Sequence, residues 1–529
     1  MPVETKQIII DGETLSLQQM TSFLEDPSIQ VALSPQARER VQKSRRQVER
    51  WLTAERKVIY GITTGLGKLK DYVVAERDQA NFQQNILYSH AVGLGPCFPD
   101  DVVRLAMLLR ANVLSRGHSG VRPELIERIL MFLNKGIIPL IPQIGSLGVG
   151  DLQPMAHLGL CLVGAPEGEA RYQGEAGSAV QQLQKAGISP VPFPLAAREA
   201  LALMSGSTMV LANAIYACHK AKQLSQLADI ALALNLEAMR GEINAFDERI
   251  QNARGIPAQI ETARQVRALL EGSGWVTDAG RSRLGETKPR VQDAVSFRSS
   301  PQVHGAVKDV LHYVETVISR EINASTDNPL LFSGESGYES LSGGNFHGAI
   351  LGYALDFLGI VLTDLAVLSE RRSARLLDPT ASYGLPANLV GGLIGLNTGF
   401  ALVQANAIAL VGEMRTLAAP ASIGSIPAKS NQEDHNSMAM GAVRKTMQIL
   451  EHLQKVLAIE LLCAAQAIDL IKDKMSGLPL GKGTALVYQL IRKSVPPMWE
   501  DSYVKADLEK MIRLVEDDTI LREVKHVLT

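Results

Sequence analysis

The chain has 529 residues, 46% of them apolar and 20% charged, and its 53 basic against 55 acidic residues leave a net charge of −2. That apolar content is enough to bury a large core, which excludes intrinsic disorder. The near-balance, with no block of Lys or Arg, excludes an electrostatic docking surface for nucleic acid or an anionic membrane. At about 150 residues per domain the length suggests three or four domains, although one helical architecture absorbs such a length. Cys97, Cys161, Cys218 and Cys463 are widely spaced with no C-x-x-C, so neither a disulfide framework nor a metal site is expected, and all four read as buried thiols. The opening MPVETKQIIIDGETLSL lacks a basic stretch followed by an apolar one, and no later segment is an uninterrupted bilayer span; a cytoplasmic protein is expected.

QIIIDG followed by ETLSL predicts a short hairpin turning at Asp11-Gly12. From about Pro35 the pattern is helical and strand signals nearly vanish. Residues 164 to 195, rich in Gly, Pro and Ala, read as a surface excursion, and the polar, Gly-rich stretch 272 to 290 as a mobile loop. In LGYALDFLGIVLTDLAVLSERR (351 to 372), Asp356 and Asp364 interrupt an otherwise apolar run and argue for a buried bundle helix. FALVQANAIALVGEM (400 to 414) is a further apolar helix, and Met447 to Lys472 keeps a Leu/Ala/Ile stripe at helical spacing, a rod of roughly 40 Å. The expected fold is all-α, a long-helix central bundle with a small N-terminal hairpin, completed by copies of the same chain. Residues 1–200 are expected to form an N-terminal active-site region and 201–529 the bundle with a C-terminal helical region.

Seven polar, Gly-rich segments carry chemistry that packing does not require: YGITTGLG (60 to 67), NILYSHAVGLG (85 to 95), GSLGVGDLQPMAH (145 to 157), VQDAVSFRSSPQVHG (291 to 305), STDNPL (325 to 330), SGGNFHG (342 to 348) and NQEDHNSM (431 to 438). Tyr60 sits beside a turn able to close over a pocket, or caps a core edge. His90 is a ligand-facing or a hydrogen-bonded core histidine. Arg298 is a carboxylate fork or half of a structural salt bridge. Glu433, Asp434 and His435 offer a base and its supports, although three adjacent groups cannot share one helix face. The turn Gly145 to Gly150 feeds a helix with Asp151 as N-cap and Pro154 in the first turn, an end that offers N–H groups to an anion. With no βαβ context it is not a dinucleotide fingerprint.

In this order the segments resemble the histidine and phenylalanine ammonia-lyase family of carbon–nitrogen lyases, over roughly four fifths of the chain. The resemblance implies a mostly helical homotetramer whose active sites are shared between chains. It implies Tyr60 as catalytic base, with Gln292 and Arg298 orienting the substrate and Arg298 pairing its carboxylate. Phe346 would line the pocket, Asn328 would support it, and His90 with Glu433 would address an imidazole ring.

The resemblance breaks at the family's methylidene-imidazolone, a prosthetic group cyclised from an internal Ala-Ser-Gly. Here the chain reads Gly145-Ser146-Leu147-Gly148-Val149-Gly150-Asp151-Leu152, one residue short and without the serine whose hydroxyl is lost. No cofactor is therefore expected. Ser205 and Val295 replace an asparagine and a tyrosine that serve the group in the family, and Lys429 adds a positive charge to the pocket or is a solvated surface lysine. A base meets an ammonium proton long before a carbon proton, whereas a trimethylammonium has no N–H to lose. The expectation is thus an ergothionase-like member that eliminates trimethylamine from ergothioneine to give thiourocanate; the alternatives are a histidine ammonia-lyase and a non-catalytic imidazole-binding relative.

Overall fold

The computed structural model describes residues 6–335 and 337–528, with the side chain of Lys429 outside that set. Helix takes 59% of the chain and strand 8%, so the all-α expectation holds for the bulk of the fold. The strands are short and fall into four small sheets.

The N-terminal hairpin is not formed. Gln7–Ile10 (β1) pairs in parallel with Gln30–Leu33 (β2), and the helix Leu17–Glu25 crosses between them. The chain does bend at Asp11-Gly12, where the Asp11 carboxylate accepts from the N–H groups of Glu13 and Thr14. It bends into a helix because Ser16 and Gln19 form a capping box. Gly12 lies at φ +83, and a Cβ there would meet the Arg116 backbone at 2.7 Å. The 164 to 195 excursion contains a second undetected pairing, Glu169–Tyr172 with Glu175–Ser178, turned through Gln173 and Gly174 at positive φ.

The stretch 272 to 290 is not the expected free loop. Trp275 is buried and donates from Nε1 to the Leu478 carbonyl, Arg281 donates to the Gly241 carbonyl, and Arg290 pairs with Glu286 and stacks 3.8 Å from the Tyr383 ring centroid. Of the four cysteines three are buried; Cys97 is exposed, on the short strand Leu94–Cys97.

The long helices lie where the apolar periodicity sets them: Leu152–Val163 (α1), Thr208–Ala238 (α2), Ser300–Glu321 (α3), Ala349–Leu377 (α4) and Ala439–Ile471 (α5). The chain divides into two compact units. One comprises 1–217, 314–356 and 420–444; the other comprises 218–313, 357–419 and 445–529. The breaks at 217/218, 313/314, 356/357 and 444/445 fall inside α2, α3, α4 and α5.

In the second unit two buried carboxylates, Glu460 and Asp229, are met by partners, as burial requires. Glu460 on α5 accepts from Arg372 Nε at 2.5 Å and Nη2 at 2.9 Å, from Ser369 Oγ at 2.6 Å and from Asn235 Nδ2 at 3.1 Å. Asp229 on α2 accepts from Lys308 Nζ at 2.6 Å and lies 2.7 Å from His304 Nδ1.

In the first unit Arg198 and Asp327 form a wholly buried ion pair at 2.7 Å, with Arg198 also donating to the Pro329 carbonyl at 2.9 Å. This pair fixes the Asp327-Asn328 corner to the start of the helix Glu199–Met204. Removing one partner strands the other charge in the core. Arg198→Met is therefore expected to cost about 3–5 kcal/mol, and Arg198→Met with Asp327→Leu to recover most of it. Thermal unfolding of the two variants checks this; equal losses would contradict it.

Candidate active site

Seen from the sequence outward, the site starts with the turn that carries Tyr60. Ile62 is fully buried against Val48, Trp51 and Leu331. The Thr63 hydroxyl donates to the Lys57 carbonyl at 2.8 Å, and Thr64 pairs with Val73 across a short bridge. So anchored, the turn holds the Tyr60 phenol at a fixed place, where its oxygen accepts the Gly67 N–H at 3.1 Å. An amide aimed at that oxygen stabilises negative charge developing on it and leaves the phenolic hydrogen for another acceptor.

The helix Gln79–His90 forms one wall. Phe82, Asn85, Ile86, Ser89 and His90 recur at helical spacing and all line the same pocket. His90 Nδ1 lies 2.8 Å from the Ile86 carbonyl. A carbonyl only accepts, so Nδ1 carries the hydrogen and the ring is held from that side.

Opposite lies the turn before α1. Asp151 stands at the N-cap position of α1, but its carboxylate does not cap that helix. Instead Oδ1 accepts the Ser146 hydroxyl at 2.7 Å, and Oδ2 accepts the N–H groups of Met209 and Val210 at 2.8 and 3.1 Å, at the start of α2. Burial pushes the Asp151 carboxyl above its ordinary value, against the pull of these bonds. The turn is tied to its neighbours at three points: Gly150 N–H donates to the Phe346 carbonyl, Gly348 N–H to the Gly148 carbonyl, and Met438 N–H to the Leu147 carbonyl. Val149 thereby pairs with His347 as a β-bridge. Gly148 has φ +79, and a Cβ there would stand 2.2 Å from Ser437 Oγ, so only glycine fits.

These parts enclose a pocket of about 440 Å³ lined by Tyr60, His90, Val149, Gly150, Leu201, Ser205, Asn328, Phe346 and Glu433 among others. Asn328 Oδ1 accepts the Gly343 N–H at 2.7 Å, holding the loop that presents Phe346. Glu433 is placed by a two-bond bridge to Ala428, not by a helix. His435 stacks on His347 with ring centroids 5.3 Å apart, and burial together with His435 holds the His347 imidazole below its ordinary value.

Eight of the nine anticipated residues have described side chains, all but Lys429. Six of the nine, Tyr60, His90, Ser205, Asn328, Phe346 and Glu433, line it. Gln292 and Arg298 do not: they lie exposed in the second unit, on the segment leading into α3. Sequence reasoning missed Phe82, Asn85, Ile86 and Leu201, although the first three are readable from the same helical period that leads to His90.

The family model for aromatic amino acid lyases matches residues 15–493. The chain belongs to the aromatic amino acid lyase family. It is a carbon–nitrogen lyase acting on a small molecule. It is 44% identical to the histidine ammonia-lyase of Alkaliphilus oremlandii over 98% of this chain and 99% of that one. The crystal structure of histidine ammonia-lyase from Trypanosoma cruzi superposes with a TM-score of 0.87 at 33% identity, covering 99% of this chain and 96% of that one. The structure of the ergothioneine-degrading ergothionase from Treponema denticola matches with a TM-score of 0.89 at 31% identity, over 98% and 100%.

These likenesses correct the substrate expectation. Elimination of trimethylamine from ergothioneine does not stand: relatives named histidine ammonia-lyase share 44% of residues over the full length, well above the 31% of the ergothionase. The leaving-group argument weighed one tripeptide; the rest of the chain favours the histidine enzymes.

Asp151, buried and ionisable, gathers three hydrogen bonds, whereas the Ser146 hydroxyl makes two, donating to Asp151 and accepting the Gly148 N–H at 3.1 Å. Asp151→Asn is expected to cost about 2 kcal/mol and Ser146→Ala about 1 kcal/mol. Thermal unfolding of the pair decides, and an Asp151→Asn variant as stable as Ser146→Ala would contradict the assignment.

Proposed function

We propose that this aromatic amino acid lyase eliminates ammonia from histidine to give urocanate. The observation that carries the reading is the meeting of Tyr60, His90 and Glu433 on one pocket, in a chain 44% identical to a histidine ammonia-lyase.

In the proposed reaction Tyr60, its phenolic hydrogen first given up to solvent, acts as a phenolate and removes a proton from the substrate's Cβ while the Gly67 N–H supports the phenolic oxygen. The electron pair forms the Cα–Cβ double bond and the C–N bond breaks with its pair on nitrogen, so the ammonium leaves as neutral ammonia; the scheme requires the ammonium to be held out of reach of the Tyr60 oxygen, which would otherwise take its more acidic proton first. Glu433 and His90 hold the imidazole, Phe346 and Leu201 wall the ring, and Asn328 keeps the Phe346 loop in place. Ser205 borders the turn side of the pocket. Lys429, four residues before Glu433, is reserved for no step.

The chain's own residues do not fit the methylidene-imidazolone. Val149 and Gly150 stand where the tripeptide would be, no serine supplies the hydroxyl to be lost, and the Gly150 nitrogen that ring closure would use is bonded to the Phe346 carbonyl. The proposal is therefore a lyase with an unmodified turn, and no step is routed through that group.

The carboxylate clamp is proposed to come from another copy. Gln292 and Arg298 are absent from the lining of the pocket. On α4, Ile350, Tyr353, Phe357 and Ile360 recur at helical spacing with exposures of 41–50%, an apolar stripe that suits association in a homotetramer.

Purified protein given L-histidine is expected to produce urocanate and ammonia, read by urocanate's near-ultraviolet absorbance and released amine. No urocanate from folded oligomer would overturn the reading. The intact mass is expected to equal that of the unmodified chain; a mass short by the water lost in cyclisation and dehydration would contradict the unmodified turn. Tyr60→Phe is expected to abolish turnover, at least about a hundredfold, while leaving histidine binding nearly unchanged.

A further inference from the structure

Arg298, the proposed carboxylate clamp, sits exposed at the end of a single helical turn, Val295–Arg298, that runs directly into α3. A long cation on one exposed turn has many rotamers and little to define its direction. Its backbone, however, is pinned on both sides.

Upstream, the Asp293 carboxylate accepts the Glu242 N–H at 2.6 Å and Arg290 Nη1 at 3.1 Å. Downstream, Ser300 Oγ donates to the Ser296 carbonyl at 2.9 Å, inside the turn that carries Arg298. The same Ser300 oxygen accepts from Arg372 Nη1 at 3.4 Å, and Arg372, wholly buried, is locked on Glu460 by two bonds. His304 Nε2 faces Arg372 Nη1 at 3.4 Å; with its other nitrogen committed to Asp229, and burial holding the ring below its ordinary value, His304 is a neutral acceptor for that arm. A continuous path of bonds thus runs from a buried carboxylate to the carbonyl of the exposed turn: Glu460, Arg372, Ser300, Ser296.

We infer that Ser300, oriented by the buried Arg372–Glu460 pair, is a positioning residue that sets the direction of Arg298 toward the substrate's carboxylate. The inference rests on the proposed function, since it takes Arg298 to meet a carboxylate. A hydroxyl that merely filled a helix start would need no guanidinium behind it. The buried network supplies a fixed reference inside the bundle, and one serine transmits it to the surface.

The test is a cycle of Ser300→Ala, Ser300→Thr, Arg298→Ala and the Ser300→Ala/Arg298→Ala pair. Two readouts serve: calorimetric Kd for urocanate and for plain imidazole, and KM with kcat for histidine. Ser300→Ala is expected to weaken urocanate about five- to tenfold and to raise KM alike, with kcat within about twofold and imidazole binding unchanged. Ser300→Thr, which keeps the hydroxyl, is expected to restore both. In the Arg298→Ala background the Ser300→Ala effect is expected to vanish. An effect of Ser300→Ala that persists without Arg298, or that falls equally on imidazole, would overturn the inference and leave a structural role. If histidine is not turned over at all the proposed function fails, but the urocanate and imidazole arms still decide the role of Ser300.

Discussion

The site depends on one buried carboxylate. Asp151 receives the Ser146 hydroxyl from its own turn and two backbone N–H groups from the start of α2, so a single side chain fixes the turn that borders the pocket to the helix behind it. A wholly buried acid is costly unless its oxygens are met, and here three donors meet them. The rest of the wall is assembled onto this anchor. Val149 pairs with His347, Gly150 with the Phe346 carbonyl and Leu147 with Met438, so the segments carrying Phe346 and Glu433 are aligned by backbone bonds to the same turn.

Those bonds also bear on the chemistry. In the proposed scheme this turn stays unmodified and serves as a wall, with Val149 lining the pocket. The proposed base, ring pocket and clamp sit on three separately anchored segments. The Tyr60 turn is held by Ile62 in an apolar cluster, the His90 helix by its period, and the Arg298 turn by the charged network around Glu460.

Much of this was legible in the sequence because it rests on local signals. The long helices follow from apolar spacing, and the ordered motifs brought Tyr60, His90, Ser205, Asn328, Phe346 and Glu433 to one pocket. What was misread lay in competing local signals. The strands after Ile10 failed because Asp11-Gly12 turns into a helix as readily as into a strand, and the Ser16/Gln19 box decided it. Asp151 was taken as a cap of its own helix, since nothing in the sequence tells that a carboxylate reaches the end of another helix 58 residues away. The stretch 272 to 290 looked free because its anchors, Leu478, Gly241 and Tyr383, are remote in sequence. The substrate was misjudged for a different reason: one missing residue was allowed to outweigh the other positions of a full-length likeness to histidine ammonia-lyases.

The proposal pairs a pocket in one copy with a carboxylate clamp from another, and subunit mixing tests this most directly. Tyr60→Phe and Arg298→Ala chains are each inactive in the proposed scheme because every site of either homotetramer lacks one part. Co-expressed, they form mixed oligomers in which some sites combine an intact Tyr60 with an intact Arg298. Urocanate formation from histidine is then expected to return in the mixture and not in either parent. Mixed oligomers verified by native mass spectrometry that remain as inactive as both parents would contradict the shared site.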